Sequence, residues 1–109
     1  GVDTVTYASS ASGVTVSLSA GMAKGDGYDT IVEVENVTGS NFDDVIEGNS
    51  GDNVLNGGLG IDTVWYASAT NGVTVDLSTG LATGDGNDTL FGFENIIGSS
   101  FNDTLTGRA

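Results

Sequence analysis

An internal duplication constrains this chain more than any other feature of its sequence. Residues 3–50 align without a gap on residues 62–109, with 26 identities in 48 positions. Self-similarity of this kind is the signature of a repeat architecture. A chain of 109 residues is long enough for one small domain. The sequence therefore predicts a single domain over 1–109 that is built from two tandem copies, residues 3–61 and 62–109.

A shorter period lies inside each copy. One aliphatic side chain recurs at spacings that are mostly nine residues, within β-branched segments separated by Gly, Asn, Asp and Ser. Such segments favour short strands and turns over helices. Nine residues suit one short strand and one tight turn, so two units would form one coil of an all-β solenoid with two faces. The recurring aliphatic residues are Val5, Val14, Ile31, Val37, Ile46, Leu55, Val64, Val73, Leu90, Ile96 and Leu105.

The spacing departs from nine residues at two kinds of place. Two gaps of 17 residues contain alternating apolar residues, which predict a longer strand followed by a turn at residues 19–21 and 78–80. Two gaps of six residues, at 32–37 and 91–96, shorten the turn and lack the Gly-Gly-x-Gly sequence of a full unit. We therefore do not expect a metal site beside the shortened turns.

Acidic residues follow the same period. We assign successive aliphatic residues alternately to the two faces of the solenoid and consider the residue two positions before each of them. On one face this residue is aspartate at all six positions, and on the other it is Ser, Glu or Asn. Stacked strands lie about 4.8 Å apart, so neighbouring carboxylates in such a column would repel by roughly 1–3.5 kcal/mol. A divalent cation between them would reverse the sign of this interaction. The predicted column consists of Asp3, Asp29, Asp44, Asp62, Asp88 and Asp103.

The composition narrows the choice of metal and of partner. There is no cysteine and no histidine, which excludes thiolate sites, disulfides and the commonest transition-metal ligand. A net charge of −13 argues against nucleic acid and anionic membranes as partners, and no apolar run approaches the ~20 residues that would span a bilayer. Carboxylate oxygens and the backbone carbonyls of Gly-rich turns are ligands that calcium prefers.

One segment matches a known repeat at every position. Residues 57–65 read GGLGIDTVW, which is Gly-Gly-x-Gly-x-Asp-x-(large apolar)-x, and residues 48–56 and 39–47 are weaker copies in phase with it. The pattern resembles the hemolysin-type calcium-binding nonapeptides of the repeats-in-toxin (RTX) proteins. The resemblance covers essentially the whole chain. It implies a right-handed parallel β-roll, or β-solenoid, in which several Ca²⁺ ions are each shared between neighbouring turns.

The ligands expected for these ions are the six aspartates of the column and the carbonyls of Gly-rich turns. Asn53 occupies the acidic position of a weaker copy, where a ligand role and a turn-capping role both stay open. Asp26 and Asp85 lie in Gly-Asp-Gly turns and are either further ligands or solvated charges. The alternative is a metal-free solenoid, since Asp and Asn favour turns without any metal. The predicted carbonyl ligands are those of Gly57, Leu59, Gly84 and Gly86.

The function expected from this resemblance is that of a structural module without enzymatic activity. RTX proteins leave bacteria by type I secretion and fold outside the cell when they bind calcium. The resemblance thus implies a segment of a secreted or cell-surface adhesin, surface-layer or matrix protein, filament, toxin or exoenzyme. The alternative is a carbohydrate-binding module of an extracellular polysaccharide-modifying enzyme, with Trp65 or the pair Tyr7 and Tyr66 as a platform for sugar. Packing between coils is the simpler interpretation of these aromatic residues.

The two ends of the sequence are in phase with each other. Joining residues 107–109 to residues 1–6 would give GRAGVDTVT, a nonamer in register with the rest. We therefore expect a piece of a longer repeat array, whose ends stack on neighbouring repeats or on a second copy of the chain.

Overall fold

The computed structural model describes residues 3–25, 27–84 and 86–107. These residues form strands and turns, and none of them lies in a helix. Accordingly, the described part of the chain offers no helix that is long and apolar enough to cross a membrane. The strands are β1 (Thr4–Thr6), β2 (Thr15–Ser17), β3 (Met22–Lys24), β4 (Tyr28–Thr30), β5 (Asn36–Thr38), β6 (Val45–Glu47), β7 (Val54–Asn56), β8 (Thr63–Trp65), β9 (Thr74–Asp76), β10 (Leu81–Thr83), β11 (Asn87–Phe91), β12 (Asn95–Ile97) and β13 (Thr104–Thr106).

The strands form two sheets between which the chain passes back and forth. The seven-stranded sheet has the order β1-β5-β7-β11-β10-β9-β13, and the six-stranded sheet has the order β12-β8-β6-β2-β3-β4. Strands from successive coils pair in parallel, as β5 does with β7 and β6 with β8. The all-β roll predicted from the sequence is therefore confirmed. Its right-handedness stays a prediction.

The core runs between the two sheets as a row of single aliphatic side chains. A three-residue strand turns its middle side chain to one face and its two flanking side chains to the other. Val16, Ile46 and Val64 are the middle residues of paired strands in the six-stranded sheet, and each is 0% exposed. Leu55 and Val75 are 0% exposed in the seven-stranded sheet. Each such side chain contributes about 1.5–3 kcal/mol by leaving water, so one aliphatic residue per nonamer is enough to align the coils.

The gaps of 17 residues fold into antiparallel meanders. The predicted turns are confirmed, at residues 18–21 and 77–80. The predicted longer strands before them are wrong, because β2 and β9 have three residues each. Each leads into a further strand that the sequence analysis did not predict: β3 pairs antiparallel with β2 and β4, and β10 pairs antiparallel with β9 and β11. The roll is therefore mixed rather than purely parallel.

Each meander keeps three successive strands in one sheet, and this overturns the alternation assumed in the sequence analysis. Val14 and Ile31 flank the first meander and belong to the same side of the roll. Every recurring aliphatic residue from Ile31 to Val73 therefore lies on the face opposite to the predicted one. The second meander restores the original alternation. As a result, Ile46 and Val64 lie in the six-stranded sheet, whereas Leu105 lies in the seven-stranded sheet.

The two copies place equivalent strands in opposite sheets. The β1–β5 pair of the first copy, with Thr4 opposite Asn36, corresponds to the β8–β12 pair of the second, with Thr63 opposite Asn95. The β2–β6 pair corresponds in the same way to β9–β13. Strand β7 has no equivalent among the described strands and joins the copies, because it pairs with β5 on one side and with β11 on the other.

Candidate calcium site

The structure divides the predicted aspartate column between two edges of the roll. We call the turns that lead from the seven-stranded to the six-stranded sheet the first edge, and the turns that lead back the second edge. Asp44 and Asp62 precede β6 and β8 at the first edge, whereas Asp103 precedes β13 at the second. The prediction of one column of six was therefore wrong, for the reason given by the meanders. The remaining members are Asp29 in β4 of the six-stranded sheet, Asp88 in β11 of the seven-stranded sheet, and Asp3 before β1 of that sheet.

Backbone N–H groups of adjacent coils bind the acidic side chains along the first edge. Val14 donates its N–H to Asp44 Oδ1, Asp44 donates its N–H to Asp62 Oδ1, and Asp62 donates its N–H to Glu94 Oε1, each at 2.8 Å. A hydrogen bond to a charged group contributes about 1.5–3 kcal/mol, which is comparable to the repulsion between stacked carboxylates. The acidic side chains of this edge therefore form a hydrogen-bonded ladder that does not require a metal ion.

The second edge has hydrogen bonds of the same kind, but they form separate pairs and not one continuous ladder. Val73 donates its N–H to Asp103 Oδ1 at 2.9 Å, and Asn53 donates its N–H to Asp88 Oδ1 at 3.0 Å. The N–H of Asp3 donates to a glutamate of the neighbouring coil, Glu35, at 2.8 Å. Asn53, which is 2% exposed, also caps this coil by donating its side-chain N–H to the Glu35 carbonyl at 2.7 Å. These contacts are the turn-capping role left open for Asn53 from the sequence.

A glycine lies under four of the ladder side chains, at the start of the turn that carries each of them. A Cβ at Gly39 would come within 2.5 Å of Asp44 Oδ2, and a Cβ at Gly57 would come within 2.7 Å of Asp62 Oδ2. The same clash would arise at Gly48 with Asn53 Oδ1 and at Gly98 with Asp103 Oδ2. None of these four glycines has a positive φ. The first glycine of the nonamer is therefore required by the carboxylate or amide packed on its Cα, and not by backbone conformation.

Two aspartates of the predicted column bind tyrosine hydroxyls. Tyr7 donates to Asp29 Oδ2 at 2.8 Å, and Tyr66 donates to Asp88 Oδ2 at 2.7 Å. Tyr7 and Tyr66 are 8% and 3% exposed. They therefore belong to the core and do not form the surface platform that a carbohydrate-binding role would need. Trp65, next to Tyr66, is half-buried.

Asp62 differs from the other ladder acids because one of its oxygens is unsatisfied. Its side chain is 0% exposed, and its Oδ2 is the single buried side-chain N or O atom without a hydrogen-bond partner within residues 3–25, 27–84 and 86–107. Burial raises the pKa of the Asp62 carboxyl from 3.8 to about 7; the N–H of Asp44 lowers it, and the carboxyls of Asp44 and Glu94 raise it. A buried, unpartnered carboxylate oxygen is costly, so this atom calls for a proton or a cation.

A backbone carbonyl oxygen and Asp62 Oδ2 lie near the same point above Gly57. The Gly92 carbonyl oxygen and Asp62 Oδ2 both lie 2.7 Å from the position that a Cβ of Gly57 would occupy. A carboxylate and backbone carbonyls without nitrogen or sulfur are the donor set of a hard cation such as Ca²⁺. No group of three or more acidic side chains that could hold a metal occurs in the described ranges, so backbone carbonyls would have to supply most ligands. The residues around Asp62 fit calcium on these terms.

The predicted carbonyl ligands are distributed over both edges. The Gly57 carbonyl lies beside Asp44, 2.9 Å from the position of a Cβ on Gly39. Leu59 is in the same turn as Asp62, between the positive-φ residues Gly58 and Gly60. Gly84 and Gly86 lie instead in the β10–β11 hairpin turn, where a Cβ on Gly86 would clash with the Gly51 carbonyl oxygen of the second edge. Asp26 and Asp85 fall outside the described residues.

Gly92 is the neighbour of Asp62 that the sequence analysis missed. It lies in one of the shortened turns, where no site was expected. Its φ of 70° belongs to the left-handed region that favours glycine. The aligned residue of the first copy is Glu33, whose φ is also positive, at 58°. Because Gly92 aligns with Glu33 and lies outside any complete nonamer, the repeat pattern does not indicate that it has a role in the site.

The family model of the RTX calcium-binding nonapeptide repeat matches residues 34–64, 81–95 and 91–109, in four copies. These segments include more than half of the chain. The chain belongs to the RTX calcium-binding repeat family. A comparison with curated proteins finds no match. The RTX match at 34–64 contains Gly39–Asp44 and Gly57–Asp62, and the match at 81–95 contains Gly92. Calcium is therefore the ion that membership of the family implies for this chain.

Proposed function

We propose that this chain is a calcium-binding structural segment of a secreted bacterial protein, and that calcium completes the turn around Asp62. The observation that carries the proposal is the buried Oδ2 atom of Asp62, which has no hydrogen-bond partner. This atom and the Gly92 carbonyl oxygen each lie 2.7 Å from the position of a Cβ on Gly57. Membership of the RTX family supports calcium as the ion. When bound there, the ion would supply positive charge to a carboxylate that the ladder leaves half satisfied.

The proposal includes folding that depends on the calcium concentration. A ligand that binds only the folded chain stabilises it by about 2.7 kcal/mol at a hundred times its dissociation constant. The net charge of −13 opposes compaction, and bound calcium reduces this repulsion. A segment of this kind is less stable at low cytosolic calcium and more stable outside the cell, which suits type I secretion and an extracellular or cell-surface location.

The proposal assigns no catalytic activity to the segment. Glu35 and Glu94 are the aligned glutamates that could form a catalytic pair. Each instead accepts a backbone N–H, from Asp3 and Asp62 respectively, at 2.8 Å. They precede β5 and β12, which lie in different sheets. Because both glutamates accept the same kind of backbone hydrogen bond and lie at opposite edges, their arrangement supports a structural role for each of them.

Stacking on neighbouring repeats is the second part of the proposal. Leu105 of β13 is 45% exposed, although it is in register with Val75, which is 0% exposed. An inward-facing position of an outer strand therefore lacks a covering coil among the described residues. Sedimentation velocity in millimolar calcium would test self-stacking, with association that rises with protein concentration as the expected result. A single species at all concentrations would exclude self-stacking.

Chemical denaturation with and without calcium tests the calcium function. We expect the free energy of unfolding, followed by circular dichroism, to rise when millimolar calcium replaces a chelator. Asp62→Asn should remove this increase. Asp76→Asn is the matched control, because it also removes one negative charge but lies in the β9–β10 hairpin, where Asp76 binds Ser78. Equal stability of the unmodified chain with calcium and with chelator would refute the proposed function.

A further inference from the structure

Four turns of the roll share one framework but differ in the residue after the first glycine. In each, a glycine lies under the ladder side chain five positions later, at 2.5–2.7 Å from the position of its Cβ. The second residue is serine in two turns, asparagine in one and glycine in one. The four pairs of second residue and ladder residue are Ser40 with Asp44, Asn49 with Asn53, Gly58 with Asp62, and Ser99 with Asp103.

Serine at the second position supplies donors to the ladder carboxylate. The N–H of Ser40 donates to Asp44 Oδ2 at 2.8 Å, and its hydroxyl donates to Asp44 Oδ1 at 2.6 Å. With the N–H of Val14 at 2.8 Å, the Asp44 carboxylate accepts three hydrogen bonds and both of its oxygens are used. The arrangement recurs at the second edge, where the hydroxyl of Ser99 donates to Asp103 Oδ1.

In the turn with asparagine, the ladder side chain is an uncharged amide whose oxygen and N–H group are both hydrogen-bonded. The N–H of Asn49 donates to Asn53 Oδ1 at 3.0 Å, and the Asn53 side chain returns a hydrogen bond to Asn49 Oδ1 at 3.1 Å. An amide in place of the carboxylate carries no charge for a cation to neutralise.

The turn with glycine leaves its carboxylate without these donors. Gly58 has no hydroxyl, and its N–H donates to Asn56 Oδ1 at 2.9 Å instead of to Asp62. Its φ of 80° is in the left-handed region that favours glycine, whereas the φ of Ser40 is not positive. The result is the buried and unpartnered Oδ2 of Asp62.

We propose that the residue after the first glycine decides which turns of this roll take calcium: serine replaces the ion with an N–H and a hydroxyl, and glycine leaves the carboxylate for the ion. This inference rests on the proposed function. It assigns calcium to the Gly57–Asp62 turn and makes the Gly39–Asp44 and Gly98–Asp103 turns independent of metal. Calcium at Asp44 or Asp103 would have to displace hydrogen bonds that already satisfy the carboxylate.

Calorimetric titration with calcium tests the assignment, because it counts ions. We expect Asp62→Asn to lower the number of bound ions by one and Asp103→Asn to leave it unchanged. Loss of an ion in Asp103→Asn would overturn the inference while leaving the proposed function intact. If the unmodified chain bound no calcium at all, both the inference and the proposed function would fall.

Exchange of the second residue tests the role of serine itself. Ser40→Gly should raise the ion count by one, and adding Asp44→Asn to this variant should remove the extra ion. Ser50→Gly is the matched control, since it adds a glycine at the third position of a neighbouring turn and should leave the count unchanged. An unchanged ion count in Ser40→Gly, with the roll still folded by circular dichroism, would refute the role of serine.

Discussion

The hydroxyl of Tyr66 donates a hydrogen bond to Asp88 Oδ2 at 2.7 Å, and both residues are buried. Because the donor satisfies a carboxylate that is 3% exposed, its removal is expected to be costly. We predict that Tyr66→Phe lowers the free energy of unfolding by about 2 kcal/mol, the range for a hydrogen bond to a charged group. Denaturation in urea measures this loss.

The first copy supplies the control for Tyr66→Phe. Tyr7 donates to Asp29 at 2.8 Å, but Asp29 is exposed to water. Water can replace the lost donor there, so Tyr7→Phe should cost less than Tyr66→Phe. Equal losses in the two variants would mean that the hydroxyl does not act by satisfying a buried carboxylate.

Glu33 has a left-handed backbone that its side chain disfavours. Its φ of 58° is the one positive value at a non-glycine residue in the described ranges, and the aligned residue of the second copy is Gly92, with a φ of 70°. The left-handed region costs an ordinary residue about 1–2 kcal/mol, and the entropy that glycine loses on folding offsets part of this. We predict that Glu33→Gly raises the free energy of unfolding by about 1 kcal/mol.

Loss of a negative charge is the competing explanation for any gain at Glu33. Glu33→Gln removes the same charge but keeps the Cβ, so it should gain less than Glu33→Gly in the same thermal and urea denaturation experiments. If the two variants were equally stabilised, repulsion and not backbone strain would be the cause.

The sequence predicts the strands of this fold better than it predicts their sheets. One aliphatic residue per nonamer identifies β5 to β8 because three-residue strands bury a single side chain, as Ile46 and Leu55 do. The assignment to faces depends on counting every passage between the sheets. A 17-residue gap shows that the nonamer is interrupted, but alternating residues such as those around Val16 do not reveal that the next strand returns antiparallel in the same sheet. One missed meander reverses the face of each strand up to the next meander.

The sequence predicts the kind of ligands at the candidate site but not which residues form it. The periodicity of aspartate identifies the ladder positions, because the sixth residue of each nonamer lies at the start of a strand. It does not separate Asp44 from Asp62, which have the same place in the period and adjacent places in the structure. The difference comes from short contacts with Ser40 and Gly58. Gly92 contacts the site from a distant part of the chain, and a repeat pattern carries no information on such a contact.

Packing of a carboxylate on glycine leads to a prediction at Gly39. A Cβ there would lie 2.5 Å from Asp44 Oδ2 and 2.9 Å from the Gly57 carbonyl oxygen. Asp44 is 2% exposed and hydrogen-bonded on both oxygens, so it cannot move without breaking these bonds. We predict that Gly39→Ala lowers the free energy of unfolding by roughly 2–3 kcal/mol, near the upper end for overpacking.

Gly107 provides the matched control for Gly39. It has no positive φ, and a Cβ there would meet no atom within 4 Å. Gly107→Ala should therefore change the stability by less than about 0.5 kcal/mol. A loss in Gly39→Ala no larger than in Gly107→Ala would show that the turn adjusts to the extra methyl group and that the ladder does not require glycine.

The raised pKa of Asp62 predicts that the metal-free roll loses stability as the pH rises. Burial raises this pKa from 3.8 to about 7, so the folded chain keeps a proton that the unfolded chain has already released. The stabilisation is complete below pH 3.8 and is lost as the pH rises through 7. Between pH 5 and pH 8, ionisation of Asp62 should therefore lower the free energy of unfolding by about 2–3 kcal/mol. The Asp62→Asn variant should not show this decrease. Urea denaturation of both chains in calcium-free buffer measures the difference, and a constant gap between them over this pH range would mean that Asp62 is already ionised at pH 5. Added calcium should reverse the trend for the unmodified chain, because the ion competes with the proton for the same carboxylate.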